Sequence, residues 1–227
     1  MATIMTVSAH PDDAEFAMGA SLLKFAQQGH TIVMVVLTRG ECGTHGTPEE
    51  REKEQLNAAD FIGATLEQLD FKDCQIFDTY EARLKIADMV RKHRPDVVFA
   101  PYYNNPHYHR DGRAHPDHTA TGTLVRNALR IAKFKKITTT HDAHNVKRLI
   151  YYMPPRGTMP SLINDVTDFM PAWRELIKKH ATQYKGFENI VGRLEEFRKV
   201  AGNDIGVTFA EPFIIEEPLP FDDFVFA

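Results

Sequence analysis

The chain has 227 residues, 43% of them hydrophobic and 26% charged, the balance of an ordinary globular protein. Its 27 basic and 31 acidic side chains leave a net charge of −4, which excludes a nucleic-acid footprint and a polybasic membrane anchor. Two cysteines cannot frame a disulfide scaffold, so a reducing cytoplasm is the expected setting. The opening MATIMTVSAH lacks the basic flank and apolar stretch of a secretory leader, and the longest apolar run is Ile32–Leu37, far short of the ~20 residues a spanning helix needs. Eleven histidines are unusual, and four of them lie between His107 and His118.

In chain order, Thr3–Ser8 reads as a strand running straight into His10-Pro11-Asp12-Asp13. Ala14–Gln28 follows as a helix, with Phe16, Leu22, Leu23, Phe25 and Ala26 at helical spacing and Gly29 as its stop. Thr31–Thr38 is apolar on both faces, as a central parallel strand should be. A glycine-rich loop leads to a charged helix from about Pro48 to Ile62, with Gly63 just past its end. Leu66–Phe71 is a weaker strand, Thr79–His93 a helix, and DVVFAPYY from Asp96 another buried strand. A polar loop, Asn104–Ala114, precedes His115-Pro116-Asp117-His118 and an amphipathic helix to about Ala132. Val146–Met153 reads as a strand, Asp168–Tyr184 and Ile190–Ala201 as helices, and Gly206–Ile215 as a late strand before an acidic tail. Helices alternating with parallel-type strands predict one α/β domain over residues 1–227. Its architecture is a three-layer α/β/α sandwich with a mostly parallel, Rossmann-like central sheet. In such folds reactive groups gather at the carboxyl ends of the strands.

Three constellations carry chemistry. In His10-Pro11-Asp12-Asp13 a histidine and a carboxylate three apart can chelate one metal while the neighbouring carboxylate stays free. The alternative is a helix cap by Asp12 or Asp13. In His115-Pro116-Asp117-His118 the two histidines share a face of the first helical turn, and Asp117 can orient an imidazole from behind. Its alternative is a solvated helix start. Both motifs sit where a strand ends, so together they offer His, Asp and His as ligands, with Asp12 and His115 left as base and acid. The third constellation, Gly40-Glu41-Cys42-Gly43-Thr44-His45-Gly46, lacks both dinucleotide and P-loop fingerprints. It reads as a loop that lets backbone approach a substrate, with Glu41 and Arg51 lining the site. A surface salt bridge within REKE is the other reading for Arg51.

These pieces resemble the LmbE-like, PIG-L family of zinc-dependent N-acetylglucosaminyl de-N-acetylases. AHPDDAEF at 9–16, LTRGECGTHGTPEEREKE at 37–54, RPDVVFAPYY at 94–103, HPDH at 115–118, HATQY at 180–184 and GVTFAEPF at 206–213 fall in family order over nearly the whole chain. The resemblance implies Zn2+, or another divalent transition metal, on His10, Asp13 and His118. It implies Asp12 as general base, and His115 backed by Asp117 for the tetrahedral intermediate and leaving amine. His180 would aid the oxyanion, with a surface histidine as its alternative, and Arg51 would lie near the acyl pocket. The implied partner is a small N-acetylated amino sugar, in a homo-oligomer, hexamers among the family's assemblies. Within the family the chain looks most like the branch acting on N-acetylglucosaminyl malate in bacillithiol biosynthesis; a chito-oligosaccharide is the alternative substrate. Ala114 stands where that branch usually has arginine, and Arg51 in the matched loop with Arg110 and Arg113 in the long loop before the second motif suit an anionic substrate group.

Overall fold

The computed structural model describes residues 1–105, 114–186 and 190–219, with backbone alone at 185 and 186. Five strands form a parallel sheet in the order β3-β2-β1-β4-β5: β1 (Thr3–Ser8), β2 (Thr31–Val36), β3 (Thr65–Gln68), β4 (Val97–Pro101) and β5 (Arg148–Tyr152). Alternate residues of β1 and β2 face opposite sides. Met5, Val7, Val33 and Val35 pack with α3 (Tyr80–His93) and α4 (Pro116–Ala132), whereas Ile4, Ile32 and Met34 pack with α1 (Asp13–Gln27) and α2 (Pro48–Ile62). Helices on both faces explain why β2 is apolar without a break from Ile32 to Val36 rather than alternating. The predicted three-layer α/β architecture is the one observed.

Strand order reverses between β1 and β4, the switch point at which open α/β sheets leave a crevice beyond their carboxyl ends. Residue 10 follows β1 and residue 115 follows β4, so the topology alone brings the two His-Pro-Asp motifs to one crevice. α4 also approaches β4 very closely. A Cβ added at Gly122 would lie 2.2 Å from the Pro101 carbonyl oxygen, so only glycine fits there.

The second half departs from the sequence reading. The helix expected over 168–184 is divided into a 3₁₀ turn (Thr167–Phe169), α5 (Met170–Ile177) and α6 (Ala181–Gly186), and the break turns His180 into the interior. The late strand shrinks to β7 (Ala210–Phe213), which pairs antiparallel with an unforeseen β6 (Leu162–Asp165) in a small separate sheet. α7 (Ile190–Asn203) packs on β7. β7 also repairs a kink in α1. Met18 leaves the helical region, and the freed Ala20 and Ser21 N–H groups donate to the Glu211 carboxylate at 3.3 and 2.8 Å. Arg198 neutralises Glu211 at 2.6 Å and lies over the Trp173 ring. Among the described residues no helix is long and apolar enough to cross a membrane.

Candidate metal and active site

Asp12 ends the turn after β1 at φ 95°, a left-handed conformation uncommon for a non-glycine residue. Its side chain makes no capping bond, so the cap alternative fails for Asp12. Instead its N–H donates to Gln55 Oε1 (3.1 Å), and Gln55 Nε2 donates to Glu15 Oε1 (2.7 Å). Asp13 turns the other way: Oδ2 accepts the His10 N–H at 2.9 Å, and Oδ1 lies 3.0 Å from His118 Nε2. Such a backbone outlier at a cleft is a common mark of function.

His10 is held from behind. Its Nε2 meets Asp73 Oδ1 at 3.1 Å and Asp117 Oδ2 at 3.3 Å, both acceptors, which assigns the proton to Nε2 and leaves Nδ1 towards Asp13 (3.7 Å). Asp117 was expected behind His115, and this is corrected. The Asp117 carboxylate serves His10 and the Cys74 N–H (2.7 Å), while His115 Nδ1 caps α4 by accepting the Asp117 N–H at 3.2 Å. Proline at the first helical position sets that cap. Asp73 was not foreseen at all, since one aspartate in a short loop carries no pattern.

The centre is built for a cation. His10, His115 and His118 each bring a ring nitrogen within 4.8 Å of the others, and the buried Nδ1 of His118 has no hydrogen-bond partner. Burial disfavours charge on His10, yet its bonds with Asp117, Asp13 and Asp73 push the imidazole up to about 12. Burial likewise opposes ionisation of Asp13, but His118 and His10 hold its carboxyl well below the usual range. Imidazole nitrogens and carboxylate oxygen are the donors that zinc and neighbouring divalent transition metals accept, so the residues present fit such an ion. Burial and the adjacent Asp13 charge push Asp12 up to about 6, against the pull of Arg51, His180 and His10.

Arg51 is buried rather than a surface residue. It donates to the Gly40 and Pro11 carbonyls at 2.8 and 3.0 Å and lies 3.5 Å from Asp12, so it clamps the turn that carries Asp12. Gly40, at φ 65°, has no room for a side chain against that guanidinium. Glu41, which the sequence places along the site, is not in the cavity wall: its oxygens accept the Asp73 and Arg39 N–H groups. His180 is buried with Nε2 3.1 Å from Glu15 Oε1, which excludes the surface alternative, and its Nδ1 is unpartnered. Gln55 and Glu15 escaped the sequence reading, although Gln55 lies one turn beyond Arg51 on the same helical face. Arg110 and Arg113 lie outside the described residues.

A cavity of about 570 Å³ opens from Asp12, Asp13 and His118. Phe16, Met153, Pro154, Ile190, Leu194 and Phe197 supply its apolar wall, with Arg156, Arg193 and Gln183 among its polar groups. That is a ligand-sized pocket with a few convergent polar groups.

A switch-point crevice with a buried His/Asp centre and a second carboxylate, Asp12, beside it is the arrangement a metal-assisted hydrolase of the α/β class requires. The sequence pattern of the PIG-L family, described as GlcNAc-PI de-N-acetylase, matches residues 5–129, and the chain belongs to that family. The deacetylases of that family are metal-dependent, and the chain is accordingly an enzyme, a hydrolase of N-acetylglucosamine-type amides. It is 26% identical over 194 residues to the diacetylchitobiose deacetylase of Thermococcus kodakarensis, covering 80% of this chain and 70% of that protein. It is 28% identical over 194 residues to the probable N-acetyl-alpha-D-glucosaminyl L-malate deacetylase 2 of Bacillus anthracis, covering 80% and 81%. In structure it is similar to the conserved protein TT1542 from Thermus thermophilus, with a TM-score of 0.88, 33% identity and 100% of both chains covered.

Proposed function

We propose that the protein is a zinc-dependent deacetylase removing the acetyl group from a glucosamine amide whose sugar carries an anionic aglycone, N-acetylglucosaminyl malate being the reference compound. The observation that carries the chemistry is Asp12, partly exposed, free of capping duty and beside the His10, Asp13 and His118 cluster. His10, Asp13 and His118 hold the metal in this reading, and His115 stays free for the reaction. When bound, the metal polarises the acetamide carbonyl and makes a water more acidic. Asp12 then takes the proton as water attacks. His115, half-buried at the mouth of α4, steadies the developing negative charge and delivers a proton towards the leaving amine. The Gln55–Glu15–His180 chain keeps the Asp12 turn in its strained shape and adds positive charge behind it. Arg51 supports the Asp12 turn rather than binding the acyl group.

Arg156 and Arg193 on the cavity wall favour the anionic aglycone, because a guanidinium fork grips carboxylate in two-pronged fashion. A second reading, diacetylchitobiose, rests on the aromatic residues Phe16 and Phe197 in the cavity wall, since aromatic rings pack well against sugars. Specificity constants for N-acetylglucosaminyl malate, diacetylchitobiose and a neutral methyl glycoside separate them. The malate compound is expected to lead, and its lead to collapse in Arg156→Ala or Arg193→Ala. A lead for diacetylchitobiose transfers the assignment, and activity that is indifferent to zinc removal overturns the chemistry itself. A single domain, a cytoplasmic setting and a homo-oligomer belong to the same reading, and light scattering tests the last.

A further inference from the structure

Behind His10, the loops leaving β2 and β3 bring together two cysteines and a carboxylate that the deacetylation does not use directly. Cys74 Sγ donates to Asp73 Oδ1 at 3.5 Å, and Cys42 Sγ donates to the Asp73 carbonyl at 3.8 Å. The two sulfurs and a carboxylate oxygen all lie within 4.8 Å of one another. Two thiolates on one tetrahedral zinc, each at ~2.3 Å, stand about 3.8 Å apart, so closing on an ion takes a side-chain adjustment of about an ångström or less. The loops are already laced in place. The Cys42 N–H donates to Asp73 Oδ2 (2.9 Å), the Asp73 N–H to Glu41 Oε1 (3.0 Å) and the Cys74 N–H to Asp117 Oδ2 (2.7 Å). Cys74 is itself held at φ 62°. Both cysteines are exposed, which gives an ion its way in, and Glu41, Asp73 and Asp117 make the surroundings anionic.

We propose that Cys42, Cys74 and Asp73 form a second metal site, for a soft divalent cation such as Zn2+ or Cd2+, and that filling it draws Asp73 off His10. Thiolate with carboxylate selects softer ions than the histidine centre does. Binding releases the two thiol protons to solvent and transfers no electrons. The coupling follows from one atom, because Asp73 Oδ1 serves both Cys74 Sγ and His10 Nε2. With that oxygen on the second ion, His10 keeps only Asp117 behind it. Losing one supporting carboxylate typically costs a metal centre roughly 10–100-fold in affinity or activity. This loss of turnover rests on the deacetylase reading; the ion site does not.

The test is a titration of the zinc-loaded enzyme with Cd2+, followed by the ultraviolet thiolate-to-cadmium charge-transfer band. The chain has only two cysteines, so the band reports this pair alone. One equivalent per chain is expected, with both thiols shielded from a thiol reagent. Cys42→Ser and Cys74→Ser should each lose tight binding while metal analysis shows the histidine centre still filled. Absence of the band with both thiols still reactive, or single variants that bind as tightly as the parent, overturns the site. So does a pair found joined as a disulfide that excludes cadmium. Turnover should fall with cadmium occupancy in the parent and not in the double serine variant; a full band with unchanged turnover overturns the coupling to His10. An enzyme inactive on every acetamide, yet showing the band, would sink the deacetylase reading and leave the cation site standing.

Discussion

Residues 10–13 leave β1 through a turn in which Asp12 takes φ 95°, whereas residues 115–118 enter α4 through a proline-led helical start. Both read His-Pro-Asp, and in both the fourth residue reaches the centre, Asp13 meeting His118 at 3.0 Å. The third residue is where they part. In the turn it is Asp12, out of helical geometry, its carboxylate making no capping bond and facing Arg51 at 3.5 Å. In the helix start it is Asp117, whose carboxylate crosses to the other motif and supports His10. The first residues differ too, since His10 is gripped by two carboxylates while His115 caps its own helix. One short string thus yields the proposed base in one backbone and a support for His10 in another.

The sharpest break of that comparison is at the fourth and third positions of the two motifs. His118→Ala should empty the centre and abolish turnover, whereas Asp12→Asn should keep the metal and lose about 10²–10⁴-fold in kcat, because proton transfer alone is removed. Metal analysis beside turnover decides it, and a metal-free Asp12→Asn protein would mean that Asp12 is a ligand. His115→Ala should lose kcat by about 10²-fold or more with metal retained. The opposite pattern, zinc lost with activity near normal on added metal, would exchange the roles of His115 and His118.

Asp117→Asn and Asp73→Asn should act through His10, lowering metal affinity roughly 10–100-fold with a smaller change in kcat at saturating zinc. Competition with a chelating dye measures this. Equal affinity in all three proteins would reduce both carboxylates to loop supports.

The smallest effect is in pH. Asp12 works only when ionised, so activity falls as pH drops through its pKa. Burial and Asp13 push that carboxyl up to about 6, and a cation in the centre pulls it lower, which puts the acid limb at or below about pH 6. Arg51 favours the ionised form, so Arg51→Gln should move the limb upward. A limb that stays put in a folded Arg51→Gln enzyme would detach it from Asp12.

The strand ends and the meeting of the two motifs were legible because hydrophobic runs fix the parallel strands and topology fixes where their ends go. Arg51 stood out as a site residue, but its clamp on the turn did not, since REKE on a charged helix looks the same whether the arginine faces solvent or folds back on Gly40 and Pro11. Asp73 left no trace because its partner lies 63 positions away. β6 is four residues long and makes sense only against β7, and the apolar spacing on either side of His180 continues through a break that its contact with Glu15 enforces.

Gly122 lies one turn beyond His118 on the face of α4 that leans on β4, so that face carries both the proposed ligand and the glycine pressed against the Pro101 carbonyl. A single added methyl there would meet a backbone oxygen that has nowhere to go, and the helix would have to stand off from the sheet. Every side chain of its first turn would withdraw with it, opening the 3.0 Å span between His118 and Asp13. The smallest residue in the helix therefore acts as the gauge block of the metal centre. A one-carbon change at a position with no chemistry of its own would cost the enzyme its ion.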